Sequence, residues 1–528
     1  MTAGQVLAER GSAARLPGGT QHWLTQIDRH AHLLPDRPAL VFEGRTTTWS
    51  DLHRRVHALA GALADRGVQP GDRVAVLMSN RTEFVEGLLA ANAAGAIAVP
   101  VNFRLTADEV TFILQDSGSV ALAVDADLAP TAAQVRGALA GPALVLVTGA
   151  DPAVAGPGAL SFDELAESRL GLPAAVAIDE RDPALIMYTS GTTGRPKGAV
   201  LTHLNLAVQT QTLIRIWRLV DEDEVSLCAS PMFHIAAIGA IAPLIAIGGT
   251  TVIAPSGAFD PQAMIDTLDR EGITHVFMVP SQWQAVVDVP DAGRRAHRLR
   301  LLCWGAAPAT VPLLRRMAEV FPGVPNVCTF GQTEMSPITT ALRGEDAIRK
   351  IGSIGRPVPA VDIRIVNDAM QDVARGEVGE IVYRGPGLMQ GYWNLPEATT
   401  EATTGGWFHS GDLVREDEDG FLYVVDRKKD MIISGGENIY CAEVEDVLAG
   451  HPAVLEVAVV GAPHERWGET PVAVVVPAGT PPTLAELTEW CRTRLASYKK
   501  PTRLLLLDAL PRNATGKVRK PVLRERVR

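Results

Sequence analysis

A short apolar run that leads into a loop of hydroxyls, glycines and cations constrains this chain more than any other segment. The run is Ala184–Met187 and the loop is Tyr188–Gly198. An apolar run of this length, followed by turn-forming residues, predicts a buried strand. Hydroxyls and the backbone amides that glycine leaves accessible bind phosphate oxygens, and Lys197 adds a positive charge. The segment therefore predicts a strand followed by a loop that holds a polyphosphate.

Two alternative interpretations fit this loop less well. A Walker A loop needs a glycine, four residues and then Gly-Lys-Ser/Thr, whereas Lys197 stands between Pro196 and Gly198. A flexible linker has a similar Ser/Thr/Gly composition, but a linker does not need a preceding strand or a closing Pro-Lys-Gly.

Length, charge and cysteine content exclude several protein classes. A chain of 528 residues is long enough for more than one domain. The net charge of −11 argues against general nucleic-acid or membrane-surface binding. The 5 cysteines are scattered without a C-x-x-C pair, so neither a disulfide framework nor a zinc site is expected. This cysteine usage predicts a reducing, cytoplasmic location.

The segment Ile235–Ala254 is long and uncharged, which raises the question of a membrane span. Glycines and a proline interrupt it, at Gly239, Pro243, Gly248 and Gly249. We therefore expect a buried helix, a glycine turn and a short strand at Thr251–Ile253, and no integral membrane segment. The N-terminus lacks the apolar core of a secretory signal.

Short strand patterns alternate with longer helical patterns from early in the chain. A hairpin is predicted within Ala39–Trp49, followed by a helix capped by Ser50 and running to about Arg66. A strand follows at Arg73–Leu77, and Thr82 opens the next helix. Such alternation predicts an α/β fold with a largely parallel sheet covered on both faces.

The domain boundary is predicted near Asp426–Asp430. It separates an N-terminal domain, residues 1–426, from a C-terminal domain, residues 427–528. The second part has a helix from about Ala442 and a compact α/β pattern. Its other predicted elements are the strands Leu455–Val460, Val472–Val476 and Leu504–Leu507 and the helix Leu484–Leu495. About a hundred residues can form an independent small domain.

Several further short motifs follow the phosphate loop in a fixed order. They are Pro231–His234, Gly305–Pro308, Phe330–Glu334, Trp407–Asp412, Asp426–Asp430, Ser434–Asn438 and Asn513–Lys517. With the loop, they resemble the adenylate-forming (ANL) superfamily of acyl- and aryl-CoA synthetases, luciferases and peptide-synthetase adenylation domains. The resemblance covers most of residues 180–520. It implies a large N-terminal domain of layered α/β sheets and a smaller, mobile C-terminal α+β domain.

The resemblance implies an ATP-dependent acid–CoA ligase with ATP, Mg²⁺ and coenzyme A as cofactors or co-substrates. A carboxylate would first attack ATP to give acyl-AMP and pyrophosphate, and the CoA thiol would then displace AMP. The motifs are most similar to those of bacterial fatty-acyl-CoA synthetases. A medium- or long-chain fatty acid is therefore expected as the small-molecule partner. A homodimer is the hypothesis for the oligomeric state.

Alternatives to this function remain open. Aryl or cinnamate-type acid ligases share the same motifs, and some relatives use a nucleophile other than CoA. An inactive binding or scaffold homologue is a more distant alternative. Such proteins usually lose the lysine that corresponds to Lys517, the glutamate that corresponds to Glu334 or the phosphate loop, and this sequence has all three. Peptide-synthetase domains are disfavoured, since no carrier domain follows Lys517.

The resemblance also assigns nucleotide-binding residues. The phosphates would be held by Thr189, Ser190, Gly191, Thr192, Thr193, Gly194 and Lys197, and the adenine by Gly305, Ala306, Ala307, Pro308, Phe330, Gly331 and Gln332. Thr333 would contact the α-phosphate, and Glu334 with Thr189 would bind Mg²⁺. Asp412 and Arg427 would bind the ribose. Phe330 stands where many relatives have tyrosine, so stacking survives but a hydroxyl is lost.

The remaining assignments concern chemistry and domain movement. Lys517 would offset charge in the adenylation transition state, and Lys429 would be the hinge. Rotation at Lys429 would exchange Lys517 for a CoA-binding segment formed by Ser434, Gly435 and Gly436. His234 would lie beside the acyl pocket, whose other candidates are Ile235, Ala236, Trp283, Trp304, Phe330 and Met335.

Each of these residues also has a purely structural alternative. Glu334 could simply cap a helix, and Lys517 and Lys429 could be solvated charges. His234 and Trp304 could be packed core residues. Tyr498–Lys500 is either a contact for the CoA phosphates or an exposed charged run.

Overall fold

The computed structural model describes residues 22–141, 143–168, 176–189, 195–307, 309–435, 437–513 and 517–528. The chain forms two compact units. The first comprises the chain up to Asp362 together with Arg384–Gly406, and the second comprises Ile363–Tyr383 and Trp407–Arg528. The domain boundary predicted between residues 426 and 427, and the hinge predicted at Lys429, remain predictions.

The first unit contains two large sheets, and each is mostly parallel. The nine strands of the first sheet are, in spatial order, β16 (Arg356–Pro357), β15 (Ile338–Leu342), β14 (Asn326–Gly331), β13 (Leu301–Gly305), β12 (His275–Met278), β10 (Val225–Cys228), β11 (Thr250–Ile253), β1 (Pro38–Phe42) and β2 (Arg45–Thr48). The strands from β14 to β1 run parallel, and antiparallel strands close both edges.

The second sheet of this unit has eight strands. In order they are β19 (Gly391–Tyr392), β9 (Lys197–Thr202), β8 (Pro183–Thr189), β4 (Ile97–Pro100), β3 (Arg73–Leu77), β5 (Ala121–Asp125), β6 (Leu144–Thr148) and β7 (Leu160–Ser161). The strands from β8 to β7 are parallel, whereas β9 runs antiparallel to both β8 and β19. The predicted α/β class with largely parallel sheets is confirmed.

Helices connect and cover these strands. They are α1 (Trp23–Leu33), α2 (Trp49–Asp65), α3 (Thr82–Ala93), α4 (Ala107–Ser117), α5 (Ala129–Val135), α6 (Phe162–Glu167), α7 (His203–Trp217), α8 (Ile235–Ile247), α9 (Pro261–Arg270), α10 (Pro280–Val287), α11 (Ala292–Arg295), α12 (Val311–Val320) and α13 (Pro396–Ala402). One apolar core lies between β3–β6 and helices α4 and α5, and another lies between β13–β15 and helices α7 and α8.

In its described residues, the second unit combines two smaller sheets with three α-helices. One sheet has the order β17 (Asp362–Val366), β18 (Val378–Arg384), β20 (Phe408–Glu416) and β21 (Leu422–Arg427). The other has the order β23 (Glu437–Ile439), β22 (Ile432–Ser434), β25 (Gly468–Pro477) and β24 (Val454–His464), with β26 (Arg503–Leu506) also paired to β25. The helices are α14 (Cys441–Ala449), α15 (Leu484–Arg492) and α16 (Lys520–Val527).

The first hairpin lies where the sequence predicts it, but the N-cap of the helix that follows is a different residue. The β1–β2 hairpin and strand β3 lie where expected, but α2 is capped by Thr48 rather than by Ser50. The Thr48 hydroxyl accepts a hydrogen bond from the amide of Asp51 at 3.1 Å. Ser50 therefore belongs to the first helical turn, because the Thr48 hydroxyl already satisfies a free amide at the start of the helix.

The apolar segment that raised the membrane question folds as expected. Helix α8 ends at Gly248, whose φ of 80° is left-handed, and β11 begins at Thr250. Ten of the 13 residues of α8 are buried. Within the described parts of the chain, the structure has no helix of the length and apolarity that a membrane crossing requires.

Candidate active site

Two parallel strands of the first unit end at glycines that the packing requires. A Cβ atom on Gly305, at the end of β13, would lie 2.2 Å from the carbonyl oxygen of Thr329. A Cβ atom on Gly331, at the end of β14, would lie 1.9 Å from the carbonyl oxygen of Pro337. Both distances are shorter than any real contact. The carboxyl ends of these adjacent strands can therefore carry only glycine.

The residues assigned to the adenine lie at these strand ends. Ala306 and Ala307, which follow β13, are exposed, and Gln332, which follows β14, is half-buried. The side-chain nitrogen of Gln332 is buried and has no hydrogen-bond partner among the described residues. Pro308 lies outside those residues. Open backbone beside an unsatisfied amide suits a polar, flat ligand at the edge of a parallel sheet.

Glu334 is a buried carboxylate held from two sides. It lies in a short 3-10 turn, Thr333–Met335, directly after β14. The Tyr392 hydroxyl donates a hydrogen bond to its Oε1 at 3.0 Å. The amide of Met389 donates to the Glu334 carbonyl at 2.8 Å. These contacts fix both the backbone and one carboxylate oxygen of Glu334.

Thr189 and Lys197 lie opposite each other where the phosphate loop leaves the sheet. They form the last pair of the antiparallel β8–β9 ladder, and the Thr189 hydroxyl donates to the Lys197 carbonyl at 3.4 Å. Residues Ser190, Gly191, Thr192, Thr193 and Gly194 lie outside the described part of the chain. Lys197 Nζ lies 5.1 Å from the centre of the Tyr392 ring, within range of a cation–π contact.

Tyr392 therefore connects two motifs that the sequence analysis treated separately. Its ring faces the Lys197 ammonium and its hydroxyl reaches Glu334. Burial and the neighbouring Glu334 carboxylate raise the pKa of the Tyr392 hydroxyl well above its usual value, so the hydroxyl remains a donor. Tyr392 was not among the predicted residues, because its role depends on pairing between β19 and β9. The only local signal is its place in the aromatic pair Tyr392–Trp393.

The acyl-pocket candidates on α8 begin with a capping histidine. His234 is the N-cap of α8, and its Nδ1 accepts a hydrogen bond from the amide of Ala236 at 3.2 Å. His234 and Ala236 are half-buried, whereas Ile235 is buried. His234 thus has a structural role at the helix end. Its predicted place beside the substrate remains a prediction.

The other pocket candidates are mostly packed. Trp283 is fully buried, its Nε1 donates to the Cys303 carbonyl at 2.9 Å, and its ring meets Phe321 edge-on. Met335 is also fully buried, while Phe330 is half-buried. Trp283 and Met335 thus have the surroundings of core residues, and their assignment to the pocket remains a prediction.

The orientation of Trp304 follows from its strand. Leu301 and Cys303 of β13 belong to the core that contacts α7 and α8. Because side chains alternate along a strand, Trp304 points to the opposite face of the sheet. Phe277, by contrast, packs against the α7–α8 core, and a Cβ on Gly305 would lie 3.2 Å from its ring. Phe277 is thus a half-buried aromatic neighbour of the strand end that the sequence analysis did not identify.

In the second unit, Asp412 and Arg427 form an ion pair on neighbouring strands. Their Cα atoms are partners in the antiparallel β20–β21 ladder. Arg427 Nε lies 2.6 Å from Asp412 Oδ1, and the aspartate side chain is only 4% exposed, against 45% for the arginine. The strand register thus brings together the two residues assigned to the ribose, although fifteen positions separate them in sequence.

The predicted hinge follows this pair directly. Lys429 is exposed, and its carbonyl accepts a hydrogen bond from Arg524 at 3.1 Å. The preceding Lys428 contacts Glu380 at 3.1 Å and Asp368 at 2.7 Å. Burial opposes ionisation of Glu380, but hydrogen bonds from His409, Gly411 and Lys428 outweigh it and hold the pKa of Glu380 below its usual value. The two adjacent lysines therefore differ, since Lys428 forms two ion pairs through its side chain, whereas Lys429 accepts a hydrogen bond through its backbone carbonyl.

The segment assigned to CoA has an aromatic neighbour. Ser434 ends β22, and Gly435 has a left-handed φ of 61°. The Gly435 amide donates to the Trp467 carbonyl at 2.8 Å, and a Cβ on Gly435 would lie 2.8 Å from the Trp467 ring. Trp467 is 43% exposed, and the Arg466 guanidinium lies 4.4 Å from its ring centre. Gly436 lies outside the described residues.

Lys517, the lysine assigned to the adenylation transition state, lies in the second unit. Lys517 is exposed, and its amide donates to Asn513 Oδ1 at 2.9 Å. The residues between these two are not described. Two residues of Tyr498–Lys500, the candidate contact for the CoA phosphates, have different surroundings. Lys499 forms an ion pair with Glu443 at 2.6 Å, whereas Tyr498 is 43% exposed.

Comparison with known families explains why these motifs occur together. Residues 27–393 match the model of the family described as AMP-binding enzyme, and residues 443–517 match the AMP-binding enzyme C-terminal domain. The chain belongs to the AMP-binding enzyme family. The predicted membership of the adenylate-forming superfamily is confirmed.

Three relatives with similar sequences are named as CoA ligases or synthases. A feruloyl-CoA synthase of Amycolatopsis sp is 42% identical and aligns over 94% of this chain and 97% of its own length. An indoleacetate–CoA ligase of Aromatoleum aromaticum is 38% identical over 95% and 97%. The long-chain-fatty-acid–CoA ligase FadD13 of Mycobacterium tuberculosis is 38% identical over 90% and 92%.

Solved structures of the family show the same fold. The o-succinylbenzoate CoA synthetase of Bacillus subtilis, in complex with ATP and magnesium ion, has a TM-score of 0.83 and 33% identity, covering 96% of this chain and 99% of its own. This member of the AMP-binding enzyme family is an acyl-CoA synthetase, as predicted. Its acid is not defined by these likenesses, because the relatives act on different acids, and the fatty-acid prediction is not confirmed.

Proposed function

We propose that this enzyme joins an apolar aromatic carboxylic acid, of the arylalkanoic or cinnamic type, to coenzyme A with cleavage of ATP to AMP and pyrophosphate. The observation that carries the proposal is the contact of Tyr392 with both Lys197 and Glu334. Through this tyrosine, the cation beside the phosphate loop and the buried carboxylate after β14 belong to one cluster. A cation and a carboxylate in one cluster suit a metal-bound polyphosphate.

The donor set at this cluster fits Mg²⁺. Glu334 offers a carboxylate whose Oε1 is oriented by Tyr392, and Thr189 offers a hydroxyl. Magnesium prefers a few such oxygen ligands together with substrate phosphates and water. When bound, the ion would neutralise phosphate charge. The residues of the chain itself would position the triphosphate, and Lys197 would add a further positive charge.

The first half-reaction would then depend on positioning and charge. Thr333 and Lys517 are proposed to contact the α-phosphate as the acid carboxylate attacks it, and Asp412 and Arg427 to bind the ribose hydroxyls. A carboxylate is a suitable acceptor for two vicinal hydroxyls. The attack creates a carboxyl-to-phosphorus bond and breaks the bond to pyrophosphate, so stabilising negative charge is the main requirement.

The second half-reaction would use the segment at Ser434 and Gly435. Gly435 lies against Trp467 with a left-handed backbone, so this stretch offers backbone to a pantetheine arm without a side chain in the way. The exposed Trp467 ring, next to Arg466, suits stacking with a nucleotide base. The CoA thiol would attack the acyl carbonyl and release AMP.

The proposed acid class rests on the pocket candidates and on the relatives. The candidates Ile235, Ala236, Phe330 and the neighbouring Phe277 are apolar, which favours an acid without a second charge. Two of the similar CoA ligases are named for aromatic acids, feruloyl and indoleacetate, at 42% and 38% identity. A fatty acid is the second candidate, since FadD13 is also 38% identical.

The test is a competition among acids with product identification. Purified enzyme would receive ATP, Mg²⁺ and CoA with an equimolar mixture of ferulate, cinnamate, indoleacetate, octanoate, palmitate and 2-succinylbenzoate, and mass spectrometry would identify the thioesters. We expect the cinnamate-type or indole thioester to dominate. Preferential formation of octanoyl- or palmitoyl-CoA would contradict the aromatic proposal while leaving the ligase reaction intact. Absence of every thioester, and of acid-dependent pyrophosphate release, would contradict both.

A further inference from the structure

A cluster of metal-binding side chains lies on helices α1 and α2, formed by residues that the proposed reaction does not use. Asp28 is on α1, and His53 and His57 are four residues apart on α2. Residues at i and i+4 of a helix point to the same side. The same His-x₃-His spacing supplies two zinc ligands in helical metalloprotease sites.

The three donor atoms all lie within 4.8 Å of one another. Nε2 of His57 lies 3.1 Å from Asp28 Oδ1, and Nε2 of His53 lies 3.3 Å from the same oxygen. The two imidazole ring centres are 4.4 Å apart. A tetrahedral zinc ion with bonds of about 2.0–2.1 Å has ligand atoms about 3.3–3.4 Å apart. The two observed separations between histidine Nε2 and Asp28 Oδ1 are therefore close to the edges of that tetrahedron.

The ligands are held by the packing of their neighbours. Ile27, Leu52 and Val56 each precede one of the three ligand residues, and each is at most 1% exposed. The backbone at all three ligand positions is thus anchored in the core, which reduces the entropy that ion binding must offset. The ligand side chains are more open, at 54% exposure for Asp28, 29% for His53 and 21% for His57.

We propose that Asp28, His53 and His57 bind one divalent cation of the Zn²⁺ class, with a fourth position open to solvent, and that this ion links α1 to α2. Two imidazoles and one carboxylate suit zinc and its neighbours in the first transition series, whereas Mg²⁺ and Ca²⁺ prefer oxygen ligands. The histidines bind as neutral imidazoles through Nε2, so any Nε2 proton moves to Nδ1 or is released to solvent. Burial opposes ionisation of Asp28, but hydrogen bonds from the two histidines outweigh it and hold its pKa well below the usual range.

The experiment titrates the full-length, metal-free protein with Co²⁺ and Zn²⁺ at neutral pH in excess Mg²⁺. Magnesium would occupy oxygen-only sites such as the one proposed at Glu334, and the 5 cysteines are all buried. We expect one equivalent of Co²⁺ to give a tetrahedral visible spectrum and one equivalent of Zn²⁺ to raise the melting temperature. Calorimetry would give the stoichiometry.

Two variants identify the ligands. His57→Gln keeps a side chain that hydrogen-bonds to Asp28 but removes the imidazole, and binding should weaken by more than about tenfold. His53→Gln serves if the first variant folds poorly, as judged by circular dichroism. His32→Ala, an exposed histidine on α1, should bind like the unaltered protein. Equal binding by a folded glutamine variant and the unaltered protein would overturn the proposal, and so would the absence of one-equivalent binding.

Discussion

The Tyr392 hydroxyl donates a hydrogen bond to Glu334 Oε1 at 3.0 Å. This contact joins β19, at the edge of one sheet, to the turn that follows β14 in the other sheet of the same unit. It orients one carboxylate oxygen of Glu334. The orientation of a proposed metal ligand thus depends on a residue outside every motif that predicted the site.

Tyr392→Phe should weaken the use of magnesium. The change keeps the ring beside Lys197 but removes the donor, and a hydrogen bond to a charged group contributes about 1.5–3 kcal/mol. We expect adenylation to fall by about tenfold or more, with a higher Mg²⁺ concentration needed for half-maximal rate. Pyrophosphate release at varied Mg²⁺ and Mg·ATP binding by calorimetry would measure these effects.

The matched control for this change is Tyr423→Phe. The Tyr423 hydroxyl also donates to a carboxylate, that of Asp417 at 3.4 Å, in the second unit. This control should leave the magnesium requirement unchanged. An unchanged magnesium requirement and unchanged Mg·ATP binding in Tyr392→Phe would contradict an orienting role for the hydroxyl.

Lys517→Ala should separate the two half-reactions. Removing one preorganised donor from a phosphoryl transition state typically costs about 10²–10³ in rate, so we expect adenylate formation to be almost lost. Thioester formation from supplied acyl-adenylate should largely persist. Single-turnover assays of each half-reaction would measure this, with Arg526→Ala, another exposed cation near the C-terminus, as the control. Equal loss in both half-reactions would argue against the assignment.

Lys429→Pro should block the second half-reaction. Proline fixes φ near −65° and restricts the preceding residue, so a rotation at this position would be prevented. We expect normal pyrophosphate release with the acid but little thioester. Lys429→Ala removes the same charge without stiffening the backbone and should transfer to CoA normally. Normal transfer by the proline variant would count against the hinge.

The elements that sequence patterns predicted well are those that depend on neighbouring residues. Strand β3 and the hairpin β1–β2 follow from local apolar runs and turn residues, and helix α8 follows from its apolar stretch and closing glycine. The cap of α2 is Thr48 and not Ser50, because these two hydroxyls, two residues apart, compete for the same free amides. A sequence pattern does not define a helix end to within two residues.

The site was only partly predictable for a different reason. Glu334 and Asp412 lie in motifs, so resemblance identified them, but Tyr392 and Phe277 take their places through strand pairing and packing between distant segments. The Asp412–Arg427 contact likewise depends on the β20–β21 register. No pattern within a few residues encodes such contacts.

Arg427→Ala should weaken ATP binding and lower stability together. Asp412 is buried, and its ion pair with Arg427 at 2.6 Å compensates part of the cost of burying its charge. Removing a partner from a buried carboxylate is destabilising, although the 45% exposure of Arg427 lets water replace part of the contact. We expect a higher KM for ATP and a lower melting temperature. Arg427→Lys, which retains the charge, should recover part of both, and an ATP KM unchanged in Arg427→Ala would contradict the ribose assignment.

Acid should destabilise the first unit through a buried histidine. Burial lowers the pKa of His203 from 6.5 to about 3, with a smaller contribution from His22. Below pH 6.5 the unfolded chain binds a proton at this position that the folded protein does not, so stability is retained above pH 6.5 and lost as the pH falls towards 3. The expected contribution is about 1.4 kcal/mol per pH unit.

His203→Gln tests this dependence, because glutamine does not titrate. Denaturant unfolding between pH 7 and pH 4 should show a free energy of unfolding that falls less steeply in the variant, by about 1.4 kcal/mol per pH unit below pH 6.5. His32→Ala, which removes an exposed histidine, should keep the slope of the unaltered protein. A comparison of slopes is informative even if glutamine lowers the stability at every pH, since a constant loss leaves the slope unchanged. Parallel curves for His203→Gln and the unaltered protein would show that His203 is protonated in the folded state as readily as in the unfolded chain.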